Sequence, residues 1–466
     1  MADPAPSSPH VVILGAGLCG LYAARTLRAK GIAVTLVEKE SWPGGLAMGQ
    51  CHNGNWYDLG VHMLHEHDKG VFEDMKTILD DERIAVQLDA KIKWMGHYYR
   101  YPLQFGDMVR HMNPFRLGHY GMALVLSQIY YKWFPKEPRD AEEALIQLYG
   151  KPLYEFFFKE FTHRYWGIPP SGLSAGFIKS KMPRLSAVDL IKKALSKFGF
   201  KEKEGAAVES ALLDETLHYS RTGAETLPRR LASFVEGLGA KIILGHSVAA
   251  IEREGDQVVA VRARDASGNK IRIPCDWCLN TIPVPPMMAA IEPAPEPAVA
   301  EAAKKLRYKA IAIYGVLVKK DRCIDSKYVY FRRRIFHRVG EPKNGGLVVR
   351  PDGHTVLIVE MTCDVGDGKW TNDPETWKQI VSDLETEGVC KPDEIAEHHL
   401  LTCETGYPIF EFGFEEHHDK VKSFLAGIRN LSTTGRQGGF CYPNMHGAMR
   451  MGAKAAEEAM AKIGKA

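Results

Sequence analysis

The chain has 466 residues, 45% of them hydrophobic and 25% charged, with 60 Lys and Arg against 57 Asp and Glu. This length points to two or three domains. The ordinary composition excludes a disordered chain, and the near balance of charge excludes a nucleic-acid binder that works by bulk positive charge. No run of 18 or more apolar residues is present, so no membrane-spanning helix is expected.

The first residues, MADPAPSSPH, carry neither a basic segment nor an apolar one, so no secretory signal is expected. Nine cysteines are scattered along the chain. An odd, scattered set reads as reduced thiols and a cytoplasmic location. Cys275-Asp-Trp-Cys278 has no second pair to make a zinc site, and buried structural thiols are its simpler reading.

The sharpest signal lies in the first forty residues. The apolar run His10–Leu14 reads as a buried parallel strand. Gly15-Ala-Gly17-Leu-Cys-Gly20 follows at once and opens a helical pattern that ends at Gly31. A second strand over 32–37 closes on Glu38. Strand, GxGxxG, helix, strand and acid in this order form a dinucleotide-binding unit. Gly15 serves the tight turn, Gly17 admits a pyrophosphate to the backbone, and Gly20 packs the helix on the sheet. The helix N-terminus faces the phosphates, and Glu38 accepts from a ribose hydroxyl. Gly44-Gly45 then offers a second set of backbone N–H groups, or a plain turn. His62, His65 and His67 lie on a loop at spacings poor for zinc, and no metal is expected. The 117–131 stretch is apolar but too short to span a membrane, and reads as a core or interface helix.

Several motifs taken together resemble the UDP-galactopyranose mutase family of the amine oxidase superfamily of FAD proteins. They are Gly44-Gly45, Gly60-Val-His62-Met-Leu-His65, the strand at 96–103, Phe161-Thr-His-Arg-Tyr-Trp166-Gly167, the strand end at Cys278, Arg338-Val-Gly-Glu341, Tyr407-Pro-Ile409 and Gly435-Arg436 with Tyr442-Pro-Asn444-Met445. They keep the family's order from residue 11 to 455. The resemblance implies an α/β fold with a Rossmann-like FAD-binding domain, discontinuous over 1–105, 219–290 and 411–466. It also implies a helical insert at 106–218 and a mostly antiparallel sheet domain at 291–410. By carry-over, FAD contacts fall on Gly15, Gly17, Leu18, Cys19, Gly20, Glu38, Lys39, Gly44, Gly45, Leu46, His62, Val248, Gly435, Arg436, Tyr442, Asn444 and Met445. Substrate contacts fall on Trp166, Lys181, Tyr219, Arg338, Tyr407 and Tyr442.

The same resemblance gives His62, Lys309 and Arg307 catalytic positions. The chain departs from the mutases where they clamp a diphosphate: Ser180 stands for one arginine and Lys309 for another. Lysine neutralises a phosphate but cannot fork it. Two functions follow as expectations. One is a mutase-like isomerase that uses reduced flavin on a nucleotide-linked sugar, with NADPH or NADH as an external reductant. The other is an oxidoreductase of the amine oxidase, desaturase or protoporphyrinogen oxidase type. A small-molecule substrate is expected in both, no nucleic acid in either, and a homo-oligomer is compatible with both. Arg332-Arg333-Arg334 together with the lysines favours an anionic substrate, whereas a solvated strand end is the simpler reading of at least two of the three.

Overall fold

The structure is a computed structural model that describes residues 9–87, 89–101, 105–181 and 216–463, with backbone only for Phe105 and residues 179–181. Its centre is a five-stranded parallel sheet. The strand order is Lys241–Ile243, Ala33–Val37, His10–Leu14, Trp277–Asn280 and Leu431–Thr433. Val11, Val12, Ile13 and Leu14 are fully buried, because helices cover one face of the sheet and a second sheet covers the other. That explains why the strand reads as an unbroken apolar run and does not alternate.

The helical face carries Leu18–Arg28, Lys69–Leu79, Thr226–Gly237 and Met445–Ile463. Met445–Ile463 crosses Leu18–Arg28 at unusually close range. A Cβ on Gly452 would collide with the Cys19 carbonyl oxygen, so only glycine allows this crossing. The opposite face packs on a four-stranded sheet ordered Lys270–Pro274, Gln257–Asp265, His246–Glu254 and Ile291–Glu292. The segment that follows Tyr219, which the sequence pattern of a helix, a strand from Ala240 and the alternating run 258–263 predicts to return to the first domain as one unit, is therefore divided. Lys241–Ile243 joins the parallel sheet, while the alternating run VVAVRA lies in the separate four-stranded sheet.

A seven-stranded sheet stands beside this unit, ordered Ile395–Pro408, Tyr308–Val318, Thr355–Cys363, Arg338–Gly340, Tyr328–Phe331, Ala90–Trp94 and His97–Arg100. It is antiparallel except where Tyr328–Phe331 pairs with Ala90–Trp94. The strand within 96–103, expected against the cofactor domain, instead forms the edge of this sheet. Thr355–Cys363 is buried at all nine positions, so its one acid, Glu360, must find a partner inside.

Helices Pro114–Trp133, Ala141–Tyr149, Lys159–Trp166 and Ala175–Lys181 close one end around Leu124, Leu145, Tyr149, Tyr154 and Trp166. The helix expected over 117–131 is thus part of a longer one. Ser180 and the side chain of Lys181 lie outside the described side chains.

Candidate functional site

The carboxyl ends of the parallel strands meet at one edge of the sheet, the usual place for a ligand in this architecture. Leu14 runs into Gly15, Val37 into Glu38, and Thr433 into Gly435. Gly15 has φ +97° and Gly435 φ +80°, a region that side chains rarely adopt. A Cβ on Gly20 would strike the Gly15 carbonyl oxygen, so the helix start lies directly on the turn. Gly17 is the N-cap of Leu18–Arg28 and offers no side-chain cap, and the first turn holds no acid. Its N–H groups and the helix dipole are left for an anion.

Gly44-Gly45 comes back onto this turn. Gly17 and Gly44 form a parallel bridge, and the Gly44 N–H donates to the Ala16 carbonyl at 2.9 Å. A Cβ on Gly45 would stand 3.2 Å from Gly17 Cα. The two glycine segments are therefore side by side, and Gly44 (φ +132°) and Gly45 (φ +57°) hold backbone conformations that disfavour a side chain. Glu38 is buried, and its carboxylate accepts from the Ala16 N–H at 2.8 Å and the Glu40 N–H at 3.0 Å. Burial raises its pKa, and these two donors oppose the rise. Two oxygens with about four lone pairs keep capacity for a ribose hydroxyl.

Val248 enters by the strand His246–Glu254, whose His246 N–H donates to the Glu38 carbonyl at 2.9 Å. Lys39 is exposed and pairs with Glu40 at 3.5 Å, Leu46 is half-buried, and Leu18 and Cys19 are buried in the helix start. Cys19 touches the Gly435 segment, where a Cβ would meet its sulfur at 2.9 Å. These positions form one cradle that fits a dinucleotide.

Beyond the cradle lies a compact polar centre. His62 lines a small cavity with Leu64, Tyr219, Ala224, Leu227 and Met445. Its Nδ1 is buried and has no hydrogen-bond partner among the described residues, and the same holds for the Oε1 of Gln437 next to Arg436. Two buried polar atoms without partners at the edge of the cradle fit a polar group that binds there. Burial and the Arg436 charge push the His62 pKa down to about 4, against the pull of Glu360, so its imidazole is neutral at pH 7. Arg436 donates to the Pro443 carbonyl at 2.7 Å and lies over the rings of Tyr442 (4.8 Å) and Tyr407 (5.7 Å). Those two rings stack at 5.1 Å. Met445 begins the last helix beside them, while Asn444 is exposed.

Glu360 ties this centre together and was not found from the sequence. It accepts from Arg338, with Nε at 3.1 Å, and from the Tyr407 hydroxyl at 3.3 Å. The Arg338 and Glu360 side chains are 15% and 4% exposed. A lone acid inside the apolar run TVLIVEMTC was the available signal, since buried acids need partners. Behind it, the Thr362 hydroxyl donates to the Tyr165 carbonyl at 2.7 Å, so the 2.8 Å contact of His337 Nε2 with Thr362 must be an Nε2–H donation. Burial and the surrounding cations Arg164, Lys369, Arg338 and Lys309 hold the His337 pKa well below its usual value.

The other expected substrate residues divide. Trp166 is buried and meets Phe177, Tyr165 and Tyr407 edge-on. Lys309 is buried beside Gly167, whose added Cβ would stand 3.1 Å from its Nζ, and it donates to Asp364 at 2.6 Å. Tyr219 shares the His62 cavity, but its hydroxyl is committed to the fully buried Asp58. Arg307 points outward and pairs with Glu411 at 2.8 Å.

In the arginine run 332–334 only Arg333, 66% exposed, is solvated, not at least two of the three. Arg332 is buried, 4.0 Å from the ring centre of Trp94. Arg333 pairs with Glu160 at 3.1 Å, and Arg334 with Glu387 at 2.5 Å. These cations hold the helical end to the sheet and give no support to an anionic substrate. Cys275 and Cys278 are buried, with pKa values raised by burial, as structural thiols should be.

The family model for flavin-containing amine oxidoreductases matches residues 18–460. A probable UDP-galactopyranose mutase of Klebsiella pneumoniae is 24% identical over 37% of this chain and 45% of its own length. A phytoene dehydrogenase of Streptomyces griseus is 24% identical over 59% of this chain and 54% of its own. The chain thus spans about half the length of the curated relatives it matches. Among solved structures, reduced UDP-galactopyranose mutase superposes with TM-score 0.80 and 18% identity, over 98% of this chain and 94% of that one. A putative protoporphyrinogen oxidase from Exiguobacterium sp. 255-15 gives TM-score 0.69 and 18% identity, over 98% and 99%. At these identities the structures share the fold. The chain belongs to the flavin-containing amine oxidoreductase family.

Proposed function

We propose that this flavoenzyme acts on a nucleotide-linked sugar through reduced flavin, as a mutase-type isomerase. One observation carries the reading. Lys309 is a buried ammonium beside Trp166-Gly167, and its carboxylate partner Asp364 is 77% exposed. Arg307 and Lys369 act on the same Asp364, whose pKa all three cations lower. An exposed carboxylate returns to water at little cost, so a diphosphate can take its place on Lys309. Trp166, Tyr407 and Tyr442 then offer aromatic faces to a sugar or base.

The bound flavin supplies a nucleophile when reduced and a hydride acceptor when oxidised. The chain's own residues hold the rest. Neutral His62 stands at the edge of the cradle, and Glu360 fixes Arg338 and Tyr407. A second reading, oxidation of an amine or apolar substrate, draws support from the aromatic wall of Tyr165, Trp166, Tyr407 and Tyr442 and from the internally paired Arg338.

The test is turnover of UDP-galactose by dithionite-reduced enzyme, beside peroxide formation by oxidised enzyme with amines and polyenes. Ring-isomerised sugar formed only after reduction is expected. Peroxide without isomerisation would overturn the mutase reading in favour of the second.

A further inference from the structure

Helix Pro114–Trp133 is apolar on two opposite faces, and among the described residues only one of them is covered. Leu124 is buried against the neighbouring helices. At 100° per residue, Phe115, Met122, Leu126, Ile129 and Trp133 fall within about 40° of one line opposite Leu124. Their exposures are 88%, 66%, 59%, 51% and 75%. Tyr130 and Phe134 extend the stripe at its C-terminal end, at 56% and 64%. From Phe115 to Trp133 the stripe runs roughly 27 Å at 1.5 Å per residue. Scattered exposed apolar residues need no explanation, but a contiguous stripe of aromatics and long aliphatics does.

The charged residues of the helix itself, Arg116 and Lys132, are both cations. Between residues 105 and 136 the cations are Arg110, Arg116, Lys132 and Lys136, and the sole acid is Asp107. Asp107 is occupied by Arg100 at 3.3 Å, and Lys136 by Glu143 at 3.4 Å. Arg110, Arg116 and Lys132 are exposed. Among the described residues, no helix is long and apolar enough to cross a membrane. A helix with a bare apolar face, flanking cations and Trp, Tyr and Phe at one end has the make-up of one that lies in the headgroup layer.

We propose that this face docks the enzyme on the surface of an anionic lipid bilayer, with the stripe in the headgroup–acyl boundary and Arg110, Arg116 and Lys132 on the headgroups. A second copy of the chain is the less favoured occupant, since a two-fold contact would bring these like charges together.

The test is sedimentation of the flavin-loaded protein with vesicles of phosphatidylcholine alone or mixed equally with phosphatidylglycerol. The three exposed cations predict binding about a hundredfold tighter to the mixed vesicles at low salt, weakened as salt is raised. The triple variant Phe115→Ser, Leu126→Ser, Trp133→Ser changes only exposed side chains. It should keep its flavin and lose the binding, while Arg116→Gln with Lys132→Gln should lose the lipid preference. Absence of binding to either vesicle overturns the proposal. So does a wild-type dimer in solution that the triple variant converts to monomer.

Discussion

Replacing Glu360 with alanine strips a nearly buried guanidinium of its carboxylate. Arg338 and Glu360 are 15% and 4% exposed, and the loss of one partner from a buried pair costs about 3–5 kcal/mol. Arg338 keeps the rings of Tyr328 at 5.3 Å and Tyr330 at 5.6 Å, which offset part of that, so the lower end, about 3 kcal/mol, is expected. An unfolding entropy near 2.1 cal/mol/K per residue, over the 466 residues, makes 1 kcal/mol worth roughly 1 °C. Glu360→Ala should therefore lower Tm by about 3 °C, read by tryptophan fluorescence. The double variant Arg338→Met, Glu360→Leu should recover most of that loss, because a well-packed apolar pair is often as stable as the ion pair it replaces. A single variant that melts with the wild type would refute the reasoning. A double variant less stable than either single would do the same.

Other outcomes follow from the same geometry. Burial raises the Asp58 pKa to about 7 from an ordinary 3.8. The folded state then holds this proton more tightly, so the contribution is full below about pH 4 and is lost as pH rises to about 7. Asp58→Asn should flatten that part of the stability profile in urea titrations, and an unchanged slope would remove Asp58 as its source. His62 titrates with the opposite sign, since its pKa is depressed to about 4. Its contribution is present above pH 6.5 and is lost as pH falls. His62→Ala should retain FAD and change the rate of flavin reduction, and an unaltered rate would place it outside the site. Gly20→Val drives a side chain into the Gly15 carbonyl, so the purified variant should be colourless, and a yellow variant would contradict the cradle.

The cradle was legible because each of its parts is local. The turn, the helix start and Glu38 sit within 24 residues of one another, and their glycines are required by backbone contacts that the motif itself encodes. His62, Arg436, Tyr407 and Tyr442 were reached through family order, and the fold does bring them together. Glu360 was missed because its partners, Arg338 and Tyr407, lie 22 and 47 residues away in the chain, and only strand pairing joins them. Arg332 to Arg334 misled for a related reason. Charge count says nothing of direction: Arg332 turns inward onto Trp94 and Arg334 onto Glu387, while Arg333 stays exposed beside Glu160. Tyr219 lines the same cavity as His62, with its hydroxyl donated to Asp58, a contact no local pattern signals.

The substrate assignment rests on Lys309, and it is tested most directly by the flavin difference spectrum of the oxidised enzyme titrated with UDP. Wild type should give a saturable spectral change. Lys309→Ala should weaken UDP binding by about tenfold to hundredfold, the loss of one charge-assisted contact of 1.5–3 kcal/mol, with FAD content unchanged. No spectral response in the wild type, or equal affinity in the variant, would contradict a diphosphate at this site.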